Sequence, residues 1–350
     1  MVGQNNGVVA GDNIFHTHNK SIIPCYNGGM KKIERAEGAM VGLAVGDALG
    51  ANWEFWFPPE GLSDSQIEML DGPYPAGAWT DDTSMALCLA DSLISCSGYD
   101  SYDVMERYWR WVFEGYRAYD AKPAADVGGQ TREAIEEYML RPEVYGMDFR
   151  GERAGNGALM RLAPAVIVAK TVSEAMLLAR ISARETHFSE VVEASAEIFA
   201  AMLFRALSGL PKEEVVKIAE LSTGQVFSEV LTEVIMSSSL EYREDLRFLG
   251  GYTVDALKIA VWGFMNFPDF ETGVKEVIKL GGDTDTNAAI YGQLAGAYYG
   301  LSGIPLRWRE RLLMNEEICG LADKLAEMPS CPIKRTRFEE DGFGKNVHIV

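Results

Sequence analysis

The sequence predicts an all-α fold, a compact multi-helix bundle, and three observations carry that reading. From Lys32 onward, apolar residues recur at three- and four-residue spacing in run after run. Alternating stretches that would make half-buried strands are nearly absent. The connections are short and rich in Gly, Pro and Asp, as helices packed on their neighbours require.

Taken in order, the helical runs are residues 33–49, 83–95, 102–113, 131–139, 157–169 and 173–184. They continue with 191–207, 212–221, 228–240, 254–267, 270–279, 286–300 and 307–328. Two runs are unusually rich in small residues, GAMVGLAVGDALGA (38–51) and YGQLAGAYYGLSG (291–303). Glycine within a helix costs about 0.5–1 kcal/mol relative to alanine, so its repeated use predicts helices in close approach at the centre. No break in composition divides residues 31–332, which are read as one domain. Residues 1–30 are rich in Gly and Asn, have no apolar period, and are expected to form a flexible arm. Residues 333–350 form a charged tail.

Composition narrows the function. The 350 residues are 47% hydrophobic and 24% charged, ordinary values for a globular protein. Acidic residues outnumber basic ones 51 to 32, a formal charge of −19, which argues against a nucleic-acid partner. No run is long and apolar enough for a membrane helix, and the first residues lack the basic and apolar regions of a signal peptide. Five cysteines without a CxxC pair fit reduced thiols, so a cytoplasmic location is expected. An anionic ligand on so acidic a chain would need local compensation.

Two turns concentrate acids ahead of helices: WTDDTSMAL, with Thr80, Asp81 and Asp82, and GGDTDTNAA, with Asp283, Asp285 and Thr286. Asp and Thr also cap helices, and one such motif alone would be read that way. Capping needs a single residue, however, and adjacent carboxylates raise one another's pKa unless a cation compensates. Carboxylate and hydroxyl oxygens suit hard divalent cations such as Mg²⁺ or Mn²⁺, and neither turn has the His and Cys spacing of zinc. A third motif, GNGALMR from Gly155 to Arg161, places a glycine-rich loop before a predicted helix, where backbone amides could cradle a diphosphate. A plain helix start would look the same.

GAMVGLAVGDALGANWE, WTDDTSM, GNGALMRLAP and GGDTDTNAA, in this order, resemble the ADP-ribosylglycohydrolase family, which includes dinitrogenase reductase-activating glycohydrolase. The resemblance runs from about Glu37 to Gly300 and implies an all-α fold with two divalent cations, Mg²⁺ or Mn²⁺, in a cleft for ADP-ribose. It implies Thr80, Asp81, Asp82, Asp283, Asp285 and Thr286 as metal ligands, with Asp285 the bridge. Glu54 matches an acid at the metal centre, and Asp126, in DVGGQTREA, an acid that assists substrate binding or catalysis. Gly155, Asn156, Gly157, Ala158, Met160 and His187 match the ADP-ribose site, although the family's proline after the histidine is here Phe188. Taken from the residues alone, Glu54 could be a solvated acid, Asp126 a loop acid and His187 a cap.

The resemblance implies hydrolysis at C1″ of the distal ribose, with oxocarbenium character at the transition state and Asp81, Asp126 or Glu54 as general base. The expected substrate is an ADP-ribosylated protein modified on arginine. ADP-ribosyl-serine or poly-ADP-ribose is the enzymatic alternative, and an ADP-ribose-binding or inhibitor protein the non-enzymatic one. Immunity proteins of the family block ADP-ribosyltransferase toxins through an N-terminal extension, a role that residues 1–30 could fill with Phe15 and Tyr26 as anchors.

Overall fold

The computed structural model describes residues 30–56, 61–142 and 153–336. Most of the proposed N-terminal arm and of the tail beyond Thr336 therefore lies outside the described residues, with Phe15 and Tyr26 among them. The all-α expectation holds: fourteen α-helices and two very short strands are found among the described residues. No helix there is long and apolar enough to cross a membrane.

Helices α1 (Lys32–Gly50) and α12 (Thr284–Tyr299) form the central pair. Fifteen residues of α1 and fourteen of α12 are buried, so neither has a solvent face of any width. The glycines explain how they touch. A Cβ on Gly42 would lie 2.2 Å from the Gly292 carbonyl oxygen, and one on Gly296 would lie 1.9 Å from that of Gly38. The two backbones are thus in direct contact, as the small-residue runs predicted. Arg35, buried on α1, donates to the carbonyls of Ala206, Ala297 and Tyr298 at 2.7–3.3 Å. It thereby supplies charge at the C-termini of α12 and of α7 (Glu190–Leu207), where a cation is favoured.

Around this pair pack α2 (Asp81–Cys96), α3 (Ser101–Glu114), α4 (Gly129–Leu140), α5 (Ala163–Val168), α6 (Val172–Thr186) and α7. Then follow α8 (Lys212–Val216), α9 (Gln225–Met236), α10 (Thr253–Asn266), α11 (Phe270–Ile278), α13 (Leu306–Arg309) and α14 (Asn315–Glu327). One continuous core includes the fully buried rings of Trp79, Trp111, Trp262 and Trp308. Strand β1 (Tyr99–Asp100) pairs in parallel with β2 (Ile333–Arg335), which fastens the start of the C-terminal segment to the domain.

Three predicted helices are interrupted. In 157–169 there is only a 3-10 turn, Asn156–Ala158, before the six-residue α5. Here tertiary side chains replace the helical ladder: Arg161 donates to the Gly157 carbonyl, and Gln293 takes the Leu159 and Met160 carbonyls while accepting from Ala163 N. In 307–328 the chain breaks between α13 and α14, with Met314 left-handed at φ 54° and Leu313 N bonded to the Gly77 carbonyl. In 212–221 the regular helix stops at Val216 because Arg205 takes the carbonyls of Glu214 and Lys217.

Candidate metal centre and ligand cleft

Helix α1 carries an acid that sequence reasoning passed over. Asp47 is fully buried, and its carboxylate accepts from Thr80 N (2.9 Å), Thr80 Oγ1 (2.9 Å), Thr83 N (3.0 Å) and Thr83 Oγ1 (2.7 Å). It therefore caps α2 from another helix, which explains why Thr80 gives its own helix no side-chain cap. This fixes the first acidic turn against α1. The available signal was the one carboxylate in the small, apolar stretch 38–51.

The second turn is shaped by glycine. Gly281 and Gly282 take φ of 76° and 81°, and a Cβ on Gly282 would lie 2.1 Å from the Leu249 carbonyl. From this corner Asp283 and the start of α12 project towards the first turn. Two groups of carboxylates result, each with oxygens within 4.8 Å of one another: Asp47, Asp82 and Asp285, and Glu54, Asp283 and Asp285. Asp285 belongs to both. Asp82, Asp283 and Asp285 are nearly fully buried, and the threonines Thr80 and Thr286 are each 6% exposed. Asn156 Nδ2 donates to Asp283 at 2.8 Å, linking the glycine-rich loop to the centre. Asp81 is in neither group; its carboxylate accepts from Gly128 N at 3.4 Å. Asp126 is exposed and accepts from the Tyr74 hydroxyl at 3.0 Å.

This arrangement has more acceptors than protons. Thr80 Oγ1 lies 2.9, 3.1 and 3.4 Å from carboxylate oxygens of Asp47, Asp82 and Asp285, yet a hydroxyl has one proton. Asp82 Oδ1 is buried without a partner. Burial, reinforced by the neighbouring carboxylates, pushes Asp81, Asp82 and Asp285 well above the usual carboxylate range. Burial raises Asp47 to about 6, and burial with Asp126, Asp283 and Asp47 nearby raises Glu54 to about 7. Bound divalent cations would relieve both the missing protons and the repulsion. The donors are all hard oxygens, a set suited to Mg²⁺ or Mn²⁺ and unlike the nitrogen and sulfur ligands of zinc.

Beside the centre, the loop from Gly155 to Met160 meets His187, the residue after α6. Asn156, Ala158 and Met160 are buried. A Cβ on Gly157 would lie 2.7 Å from His187 Cε1, so glycine admits the ring. The buried Arg161 donates to Thr186 Oγ1 at 2.7 Å, and that oxygen lies 2.7 Å from His187 Nδ1. Because arginine can only donate, the threonine oxygen accepts from Arg161 while it pairs with Nδ1, and this holds the ring with Nε2 bordering Gly155 and Gly157. Burial and the charges of Arg161 and Arg153 hold the imidazole well below the usual histidine value, hence neutral. Sequence reasoning named His187 but not the Arg161–Thr186 pair behind it.

Comparison with known proteins identifies the family. The chain matches the ADP-ribosylglycohydrolase family over residues 29–332. It is 32% identical to the ADP-ribosylarginine hydrolase Tri1 of Serratia proteamaculans, covering 87% of this chain and 82% of that one. To the protein of the same name from Pseudomonas putida it is 33% identical, over 84% and 78%. To the ADP-ribosyl-[dinitrogen reductase] glycohydrolase of Rhodospirillum rubrum it is 30% identical, over 81% and 92%. A solved structure described as an ADP-ribosylglycohydrolase-related protein complex superposes with a TM-score of 0.71 at 38% identity, covering 85% of this chain and 98% of that one. The helical fold, the paired acidic turns and these matches together make the chain a member of the ADP-ribosylglycohydrolase family.

Proposed function

We propose that this enzyme removes ADP-ribose from modified arginine side chains of proteins, using two divalent cations, Mg²⁺ or Mn²⁺. The observation that carries the reading is Asp285, shared by two buried carboxylate groups whose acceptors outnumber their protons. Asp47, Asp82 and Asp285 would hold one cation, and Glu54, Asp283 and Asp285 the other, with Thr80 adding a hydroxyl oxygen. Thr286, in the first turn of α12 with its N–H bonded to Asp285, is the remaining candidate ligand. Arginine is chosen over serine because two relatives bear the name ADP-ribosylarginine hydrolase at 32% and 33% identity.

Bound cations supply Lewis-acid polarisation of ribose and water oxygens. The chain's own residues do the rest. Gly155, Asn156, Gly157, Ala158 and Met160 would form the ADP-ribose side of the site, which Asn156 ties to Asp283. His187, held neutral and oriented through Thr186, contributes its imidazole to the same side of the site. The Gly155 loop leads into a 3-10 turn rather than a long helix, so any diphosphate there would be held by local N–H groups and the centre's charge, with no helix dipole involved. Of the three acids considered for proton transfer, Asp81 and Asp126 stand outside both carboxylate groups, and we assign that step to them. Asp126 is exposed to incoming water and oriented by Tyr74.

The test uses chelator-treated protein restored with Mg²⁺ or Mn²⁺ and given ADP-ribosyl-arginine and ADP-ribosyl-serine peptides. Cation-dependent turnover of the arginine adduct is expected. Preferential turnover of the serine adduct would replace the arginine assignment, and turnover independent of cations would remove the two-metal assignment.

A further inference from the structure

Next to the centre lies a groove of about 720 Å³ that the family match does not explain. Its lining includes Trp53, Glu54, Trp56, Leu70, Asp71 and Tyr74. Glu54 belongs also to the second carboxylate group, so groove and centre are continuous. The aromatic side is held open by the backbone. Phe55 is left-handed at φ 50°, an uncommon conformation for a bulky residue, and its N–H is bonded to the Gly282 carbonyl at 2.9 Å. That corner stacks Trp53 on Trp56 with ring centroids 5.5 Å apart, while Trp56 stays 58% exposed.

The opposite wall is equally preformed. Asn52 donates to the Leu70 carbonyl and accepts from Tyr74 N, clamping the 70–74 turn, and the Tyr74 hydroxyl ties that turn to Asp126. Among the described residues, the groove is lined by three acids and no lysine or arginine. Glu68 is neutralised by Lys275, Arg307 and the Trp308 indole. Glu54 is committed to the proposed second cation, which leaves Asp71. Among the described residues, Asp71 accepts only from Ala76 N, and Glu54 makes no hydrogen bond. An uncompensated carboxylate, Asp71, in a groove with an exposed indole suits a cationic side chain, which gains both the charge and the ring face.

We propose that this groove receives a lysine or arginine of the target protein next to the modified residue, making the enzyme selective for ADP-ribosylation sites in basic segments. This rests on the arginine-hydrolase reading above, since the groove shares Glu54 with the second carboxylate group. Charge complementarity and continuity with the centre commit the occupant to a basic peptide.

The experiment compares three substrates: ADP-ribosyl-arginine in a lysine-flanked peptide, the same adduct in a glutamate-flanked peptide, and free ADP-ribosyl-arginine. The wild-type enzyme should show a KM about tenfold lower for the lysine-flanked than for the glutamate-flanked peptide, with the gap shrinking in high salt. Asp71→Asn and Trp56→Ala should each raise KM for the lysine-flanked peptide about threefold to tenfold, leaving kcat and the free adduct unaffected. Equal KM values for the two peptides, or losses of the same size on the free adduct, would overturn the proposal. If no adduct is hydrolysed, the arginine-hydrolase reading fails by itself. The Kd values of the same peptides, measured calorimetrically, then decide the groove by whether a lysine preference exists and is lost in Asp71→Asn.

Discussion

Removing divalent cations should make the protein less stable as pH rises through the neutral range, and the size of the effect follows from the buried acids. Asp47 is raised from 3.8 to about 6 by burial, and Asp82 and Asp285 lie well above the carboxylate range. Each of these groups binds its proton more tightly in the folded than in the unfolded chain. Their contribution to stability is therefore full below the unfolded value near 4 and disappears as pH climbs through the raised folded value. For Asp47 the shift of roughly two units corresponds to on the order of 3 kcal/mol, of which about half is lost between pH 5 and 7.5. At roughly 2–4 °C per kcal/mol for a large domain, the cation-free protein should melt about 3–6 °C lower at pH 7.5 than at pH 5 from this group alone. Glu54, only half-buried, adds less because solvent screens it.

Cations should reverse the trend, because they bind deprotonated carboxylates and displace the protons that compete with them. Saturating Mg²⁺ should thus raise Tm more at pH 7.5 than at pH 5. Differential scanning calorimetry of chelator-treated and Mg²⁺-restored protein reads both slopes. A net charge of −19 alone would also destabilise the chain as pH rises, so Asp285→Asn is the control. It removes one of the raised buried acids and should make the cation-free slope shallower by that group's share, whereas a diffuse charge effect would leave the slope nearly intact. A cation-free Tm that is constant or increasing from pH 5 to 7.5, or an Mg²⁺ increment equal at both, would refute the reasoning.

Four further outcomes are expected. Asp285→Ala should abolish cation-dependent hydrolysis while far-UV circular dichroism stays near wild type; retained turnover would separate the acids from the chemistry. Gly42→Val should lower the denaturant midpoint by at least the roughly 1–3 kcal/mol typical of overpacking, because the new side chain meets the Gly292 backbone. Thr186→Val should remove the hydroxyl that pairs with His187 Nδ1 and weaken ADP-ribose binding, and Thr186→Ser should restore it; nitrogen-15 spectra of the imidazole and titration calorimetry check both. A chain beginning at Met30 should hydrolyse at the full rate, since every residue of the candidate site lies beyond it; if residues 1–30 block an ADP-ribosyltransferase toxin, that inhibition alone should disappear.

How much of this was legible in the sequence depends on whether the cause is local. The helices were legible because burial imposes a period on each run, and they failed where distant side chains took over the backbone, as Arg161 and Gln293 do at 157–162. The two acidic turns were legible because consecutive acids and hydroxyls exceed what capping needs. Asp47 was not, since its meaning comes from Thr80 and Thr83, more than thirty positions away. The Trp53–Trp56 groove was equally hidden: nothing local tells a stacked, exposed pair from a buried one.

The glycine runs connect these levels. On α1, Gly38, Gly42, Gly46 and Gly50 recur every four residues and so share one face, which lies against α12. The last contact falls inside the site: a Cβ on Gly50 would lie 2.5 Å from the Asp285 Cα. Backbone contact along α1 and α12 therefore sets the position from which Asp285 extends towards Asp47 and Glu54, both borne on or just after α1. Any larger residue in the stripe would hold the helices apart, and a carboxylate side chain is too short to close the added gap. The same glycines that bring the core together thus determine whether one aspartate can serve both carboxylate groups, so substitutions at Gly46 or Gly50 should reduce cation affinity in step with stability.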